Sequence, residues 1–457
     1  MSDQSRVRRL TGFAGYAQAD AYVHAPQSLD ELAAILSHSE KVVLRAGGRS
    51  YGDAALAPEI LALDLAQLKR IIDFNESTGL LTAQAGTTLD ELWRFALPRG
   101  YWLPVVTGTS RTTLGGALAM NVHGKNQFKV GAIGEHVVRA RWWTPSQGWI
   151  ETDADHPDHK NLIGSLGGVA ALGEATLKLR KVESGMLSVT ALRTGTWEES
   201  LSALESGRQG QDYAVGWIDL FAGGRGLLHF AQYDPHADPA TLQRERQDLP
   251  TRVMGIPKSQ VWRALKILNR PGPMRLVNSL KWLLSGREVG RTHSQSLVGF
   301  SFLLDYVPGW ERSYAPGGLI QFQPFVPKDS AAEVFSRLNE MQLEAGQVAH
   351  LGVLKRHRPD EFLFSPNLDG FSLALDFRVV RATEQALLDL LHRMAAIVFD
   401  YGGRFYAAKD AVLTSQEIAR MLDKETVERW IDLRKKYDPE GRFTSGLIER
   451  WGLNRVS

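Results

Sequence analysis

A chain of 457 residues is longer than one ordinary hydrophobic core supports, so two or three domains are expected. A formal net charge of +2 projects no global field toward nucleic acid, so any basic patch has to be local. The absence of cysteine removes disulfides, thiolate metal sites, iron–sulfur clusters, a cysteine nucleophile and a cysteinyl-linked flavin.

The opening MSDQSRVRRLTGF lacks the apolar core of a signal peptide, and no apolar run is long enough to cross a bilayer. A cytoplasmic protein is expected, with attachment to a membrane surface left open. Ser28 followed by Glu31 predicts a capping box opening a helix over LDELAAIL, and Thr88 with Glu91 predicts another over LDELWRFAL. Between them VVLR reads as a buried strand running into a glycine-rich turn, Gly47, Gly48, Arg49, Ser50, Tyr51, Gly52 and Asp53. Adjacent glycines let backbone N–H groups approach a pyrophosphate closely, and Arg49 and Ser50 add donors.

A second small-residue stretch, 107–120, carries Gly108, Thr109, Thr113, Gly115 and Gly116, and a third runs from Gly164 to Gly168. One such turn alone is a tight turn and no more. Three in one domain suggest a long, thin ligand, such as a dinucleotide, lying between backbones. Directly after the second stretch, His123 and Lys125 flank Gly124, and in an extended segment they share a face. A loop histidine is more often structural than catalytic, but this position favours a role near a cofactor ring.

Near residue 185 the texture changes to longer strands and helices. Residues 252–291 hold nine cations (252, 258, 263, 266, 270, 275, 281, 287 and 291) against one acid, Glu288, with Trp262, Leu265, Leu268, Leu276, Leu280 and Leu283 at helical spacing. The plain reading is a solvated helical hairpin packing one apolar stripe on the domain. The sharper one is a pair of basic amphipathic segments facing an anionic lipid surface or a lipid-phosphate substrate.

From residue 299 the expected order is β-β-α-β-β-α: strands GFSFLLDYV and GLIQFQPFV, helix SAAEVFSRLNEMQLEA, strands VAHLGVLK and GFSLALDF, helix EQALLDLLHRMAAIVFDY. Gln321 and Gln323 fall on one face of their strand, and Ser372, Ala374 and Asp376 on one face of theirs. Such faces are usually solvated; the alternative is a sheet whose polar face roofs a pocket. Lys355 alternates with Leu351 and Val353, so it either snorkels or is held over a ligand anion. No G-x-G-x-x-G after a strand, Walker A motif, H-E-x-x-H or G-x-S-x-G elbow is present.

At GRSYGD (48–53), TLGGALAMNVHGKN (113–126), WERSYAPGGLIQFQ (310–323), VLK (353–355), GGRFYAAKD (402–410) and KKYDPEGRF (435–443) the chain resembles the decaprenylphosphoryl-β-D-ribose 2′-oxidase family. That family is the flavoprotein half of a sugar epimerase pair within the vanillyl-alcohol-oxidase/PCMH superfamily. The resemblance implies an α+β fold: a PCMH-type FAD-binding domain (1–187 and 404–457) split by an antiparallel-sheet substrate domain (188–403). It implies FAD contacts from Gly48 to Asp53 and from the Gly108–Gly116 region. It places His123, Lys125, Gln321, Gln323, Lys355, Tyr406 and Lys409 around flavin and sugar, with Tyr314 and Ser372 among the substrate contacts.

Relatives often tether FAD through a histidine in the first glycine loop; this loop has none, so FAD is expected to be non-covalent. The implied reaction oxidises a secondary sugar hydroxyl, the 2′-OH of a polyprenyl-phosphoryl pentose, by hydride transfer to flavin. Lys409 would offset charge on the reduced flavin, and His123 is the first candidate base, ahead of Tyr51 and Lys125. Expected partners are a lipid-linked or soluble sugar, a short-chain reductase completing epimerisation and an anionic membrane surface, but not nucleic acid or a metal. The family's cysteine in the GFSLALDF strand is Ala374 here. Rival readings are a sugar-lactone or alditol oxidase of the same superfamily, whose His-Trp-x-Lys motif is missing, and a flavin-binding partner subunit without turnover.

Overall fold

The computed structural model describes residues 6–253 and 255–454. Residues 1–5 and 455–457, in the outer segments of the expected division, and 254, in the basic segment, lie outside the described residues. The fold is α+β, organised by three sheets.

The first sheet orders Arg6–Thr11, Gln18–His24, Leu61–Asp64 and Val42–Arg45, with the last two pairings parallel. Helix Leu29–His38 buries Leu32 and Leu36 against it, together with Phe443 from the chain's far end. Ser28 caps this helix by accepting from the Glu31 amide, but the Glu31 carboxylate turns to the Gln27 amide, so only half of the expected box forms. At Thr88 both arms are present, opening helix Leu89–Ala96. The second sheet is antiparallel, in the order Ile71–Asn75, Leu80–Gln84, Ala171–Lys178, Val137–Thr144 and Gly148–Asp153.

The third sheet has nine strands, all antiparallel. The chain enters it at Met186–Thr194, and Arg404–Phe405 pairs with Pro324–Pro327 at its far edge. At its centre lie Tyr213–Asp219, Gly352–His357 and Gly370–Arg378, the last of which also pairs with Leu319–Phe322. Helices Trp197–Gly207, Ala331–Glu344 and Glu384–Asp400 cover one face. The third buries Leu387, Leu390, Leu391, Met394, Val398 and Phe399 on one stripe.

One expected strand is absent. GFSFLLDYV forms helix Leu297–Ser301 and a tight turn at Leu303–Asp305. Ser296 caps that helix by accepting from the Gly299 amide. Leu297, Val298, Phe300 and Phe302 are all buried, so the run is apolar all round and its period says nothing of its shape.

Candidate active site

The uncovered face of the nine-stranded sheet meets the three small-residue loops across a cavity of ≈ 480 Å³. Gly47, Gly48, Arg49, Ser50 and Tyr51 line it from the first loop, and Gly108, Thr109, Thr113, Gly115 and Gly116 from the second. Ser165, Leu166 and Gly167 line it from the third. The loops are close-packed against their supports. A Cβ on Gly47 would stand 2.8 Å from the Arg111 carbonyl oxygen, and Gly48 has φ +58° with the Arg45 guanidinium 2.4 Å from where its Cβ would be. Thr113 caps helix Leu114–Ala119, which leads into Asn121 and His123. The second loop is held from outside by Asp305, which accepts from the Thr109 hydroxyl at 2.6 Å and the Ser110 hydroxyl at 2.8 Å.

Opposite, the sheet presents side chains. Tyr213, Val215 and Trp217 alternate along one strand, Leu351, Val353 and Lys355 along the next, then Ala374 and Asp376, and Gln321 and Gln323. The polar face of this sheet therefore roofs a pocket instead of meeting bulk water. The Gln321 amide donates to Asp376, whose carboxyl is pushed up to about 6 by burial. Gln323 donates to His123 Nε2 at 3.4 Å and to the Ser372 hydroxyl at 3.2 Å.

His123 sits among aromatic rings, with centroids at 4.9 Å to His357, 5.1 Å to Tyr406 and 5.6 Å to Phe325. Burial, then the charges of Lys355, His357 and Lys409, hold it well below the usual imidazole range, so it is neutral at neutral pH. Its Nδ1 has no hydrogen-bond partner among the described residues; the same is true of the Tyr51 hydroxyl and Arg49 Nε. Unpaired buried polar atoms are costly and mark places where a ligand is expected to bind. Tyr406 donates to the Met120 carbonyl at 3.1 Å.

Three lysines converge here. Lys409 lies over the Tyr51 ring at 4.0 Å, Lys125 donates to the Phe300 carbonyl, and Lys355 projects from the sheet. Burial lowers Lys125 and Lys409 to about 7 and Lys355 to about 8, and Lys355 adds repulsion to the other two. Tyr51 is pushed well above the usual phenol range by burial, and so stays a neutral donor.

Four expected site residues stand outside the cavity wall. Asp53 pairs with Arg450 at 2.7 Å, and Arg450 also binds Asp410, clamping the glycine loop to the C-terminal helix Gly446–Arg450. Gly52 is a packing glycine: a Cβ there would fall 2.0 Å from the Asp410 carbonyl oxygen. Tyr314 is buried in the cluster of Phe13, Tyr51, Trp310 and Leu319, behind the wall. Ser372 lies under Gln323, bonded also to His357 Nε2 at 2.8 Å, so it positions Gln323, which faces the cavity. In the other direction, Arg45, Trp217, His229 and Lys281 line the cavity unanticipated. Lys281, with its ammonium 4.1 Å over the Trp217 ring, comes from the basic segment and is both solvent-exposed and part of the cavity wall.

Two family models match the chain: an FAD binding domain over residues 20–153 and D-arabinono-1,4-lactone oxidase over 325–451. A decaprenylphosphoryl-β-D-ribose oxidase of Mycolicibacterium smegmatis is 28% identical over 429 residues, covering 90% of this chain and 89% of that one. An uncharacterized Streptomyces coelicolor protein is 28% identical, over 80% of this chain and the whole of its own. A D-2-hydroxyglutarate dehydrogenase of Xanthomonas citri is 30% identical over 34% of this chain and 35% of its own length.

Proposed function

We propose that this chain, a PCMH-type FAD-dependent oxidoreductase acting on CH–OH groups and similar to a decaprenylphosphoryl-β-D-ribose oxidase, oxidises a secondary hydroxyl of a phosphate-bearing sugar, a polyprenyl-phosphoryl pentose. The observation that carries this reading is the charge of the cavity. Arg45, Arg49, Lys125, Lys281, Lys355 and Lys409 line it against a single carboxylate, Asp376, among the described residues. A neutral lactone or alditol has no use for so many cations in the cavity wall. A dinucleotide and a sugar phosphate together do.

The glycine loops and Arg49 fit the pyrophosphate of FAD, and His123, Tyr406 and Lys409 fit its ring. When bound, FAD supplies the two-electron acceptor for the alcohol. The residues of the chain do the rest. Lys355, Lys125 and Lys281 bind the phosphate, and Gln321 and Gln323 orient the sugar from the roof. Neutral His123 takes the proton from the reacting hydroxyl. The Lys409 ammonium offsets negative charge that develops as electrons arrive, at a position where burial strengthens its field. A separate reductase would complete an epimerisation from the ketone. FAD is held non-covalently, so acid precipitation releases it into the supernatant.

Anaerobic bleaching of the flavin absorbance tests the substrate. A polyprenyl-phosphoryl pentose should bleach it and aldonolactones should not. Bleaching by lactones, with none from the phosphorylated sugar, would move the protein to the sugar-lactone oxidases.

A further inference from the structure

Helix Pro271–Leu284 is turned the opposite way from an ordinary surface helix. Leu276, Leu280, Leu283 and Leu284 share one face and are 62%, 48%, 70% and 54% exposed. Its one fully buried residue is polar: Asn278 donates to Asp219 at 3.1 Å. Beside it, Ser285 accepts from Arg193 at 3.0 Å, and Arg193 and Arg225 stack on Trp282. The helix is thus fastened to the large sheet by polar and cation–π contacts, and its leucines are left outside. Across the chain, eight of the fifteen exposed large apolar side chains among the described residues fall between 256 and 306, Ile267 and Leu303 among them. Clustering on that scale marks an interaction surface and not scattered exposure.

The charges around these side chains say what covers them. Of the nine cations of this segment, all but Lys258 are exposed. Among the described residues, none of the nine stands within 4 Å of a carboxylate. A protein partner that buried so many unpaired cations would need a matching set of acids, and the segment itself supplies only Glu288 to a second copy. An anionic bilayer offers negative headgroups above apolar chains, which is the order in which this face presents cations and leucines. The surface is also continuous with the cavity: Lys281 and Leu303 belong to both. No helix among the described residues is long and apolar enough to cross a membrane, so the contact is one of attachment.

We propose that the outer face of Pro271–Leu284, with Ile267 and Leu303, docks on an anionic membrane surface and sets the cavity mouth at the headgroups. The docking stands apart from the oxidation chemistry. Its use, the delivery of a lipid-linked substrate, rests on the function proposed above.

The cysteine-free chain permits a clean test. Leu283→Cys carries an environment-sensitive fluorophore, and Leu343→Cys, 38% exposed on helix Ala331–Glu344, carries the control. Vesicles of phosphatidylglycerol and phosphatidylcholine should shift the emission at 283 to the blue and leave 343 unchanged. Vesicles of phosphatidylcholine alone should leave the emission at both positions unchanged. Reversing Arg263, Lys266 and Arg275 to Glu should weaken vesicle binding roughly a hundredfold at low salt, with the flavin still bound. If that variant fails to fold, the salt dependence of the wild-type chain gives the same reading. No co-sedimentation of the wild type with anionic vesicles at low salt overturns the proposal. So does a dimer in sedimentation velocity that Leu283→Gln dissociates, which assigns the face to a second copy. Flavin bleaching by a water-soluble substrate analogue is read without vesicles, so failure of docking and failure of the proposed reaction are separately visible.

Discussion

Where Gly47, Gly48, Gly115 and Gly116 line the cavity, backbone forms its surface; across from them, on the large sheet, Gln321, Gln323, Lys355 and Asp376 do. The backbone wall has shape and dipoles, and a side chain added to it collides. The sheet wall has charge and hydrogen-bonding reach, and a side chain removed from it leaves the scaffold standing. The first kind of wall suits a ligand that never leaves, the second a ligand that is turned over. The fold obtains the two by different routes: turns pinned through Tyr51 N–H to the Ala408 carbonyl and Phe13 N–H to the Ser50 carbonyl, against strands whose alternate residues all point one way.

The contrast is sharpest at Lys409, a long side chain beside the loops. Lys409→Ala should retain FAD and slow its anaerobic reduction by roughly a hundredfold or more, the usual effect of losing one fixed electrostatic donor. Stopped-flow absorbance at saturating substrate measures this, and reduction at the wild-type rate removes Lys409 from the chemistry. On the backbone wall the pattern should invert. Gly48→Ala forces a Cβ into a left-handed conformation against Arg45, at about 1–2 kcal/mol. Titration should show FAD affinity falling about tenfold and the melting temperature falling with it, while the reduction rate of the fraction that holds FAD is kept.

A third effect is confined to the sheet wall. Lys355 is charged below about 8 and loses its proton above it. Binding of a phosphate ligand favours the charged form, so it draws a proton onto Lys355. The sign follows: the contribution of Lys355 to affinity is full below about 8 and declines as pH rises past it, by at most about tenfold per unit for one proton. Calorimetry in buffers of different ionisation heat should show proton uptake at pH above 8, and less of it in Lys355→Gln, where Lys125 and Lys281 remain to take up protons. The smallest effect belongs to neither wall. Leu283→Ala removes an exposed side chain, so the change in unfolding free energy should stay within about 0.5 kcal/mol. A loss several times larger in denaturant titration would mean that this face is packed.

Much of the cavity was legible because its parts are local. A glycine turn after a strand, a small-residue run around Gly115 and Gly116, and alternation along GLIQFQ and GFSLALDF are all short-range patterns. Residues that failed did so for contacts distant in sequence. Asp53 is taken by Arg450, 397 positions away, and Ser372 is enclosed beneath Gln323 and His357. Lys281 was read only as one cation of its segment, because nothing there records that Trp217 lies against it at the cavity. Asp376 was placed on the correct face but given no role, since its partner Gln321 comes from another strand.

Period and composition determine which face of an element is apolar, and they do so by elementary geometry: 3.6 residues per turn in a helix, two in a strand. On that basis the sequence alone specified helix Glu384–Asp400 and the strands at Gly352–His357 and Gly370–Arg378; the three small-residue loops came from their glycines, and FAD only from a family resemblance. It did not specify which way an amphipathic face turns. Helices Glu384–Asp400 and Pro271–Leu284 both carry apolar stripes, yet the first buries its stripe under the sheet and the second holds its stripe outward. That choice was made by Asp219, Arg193 and Arg225, whose polar hold on Asn278, Ser285 and Trp282 exists only once the large sheet has formed.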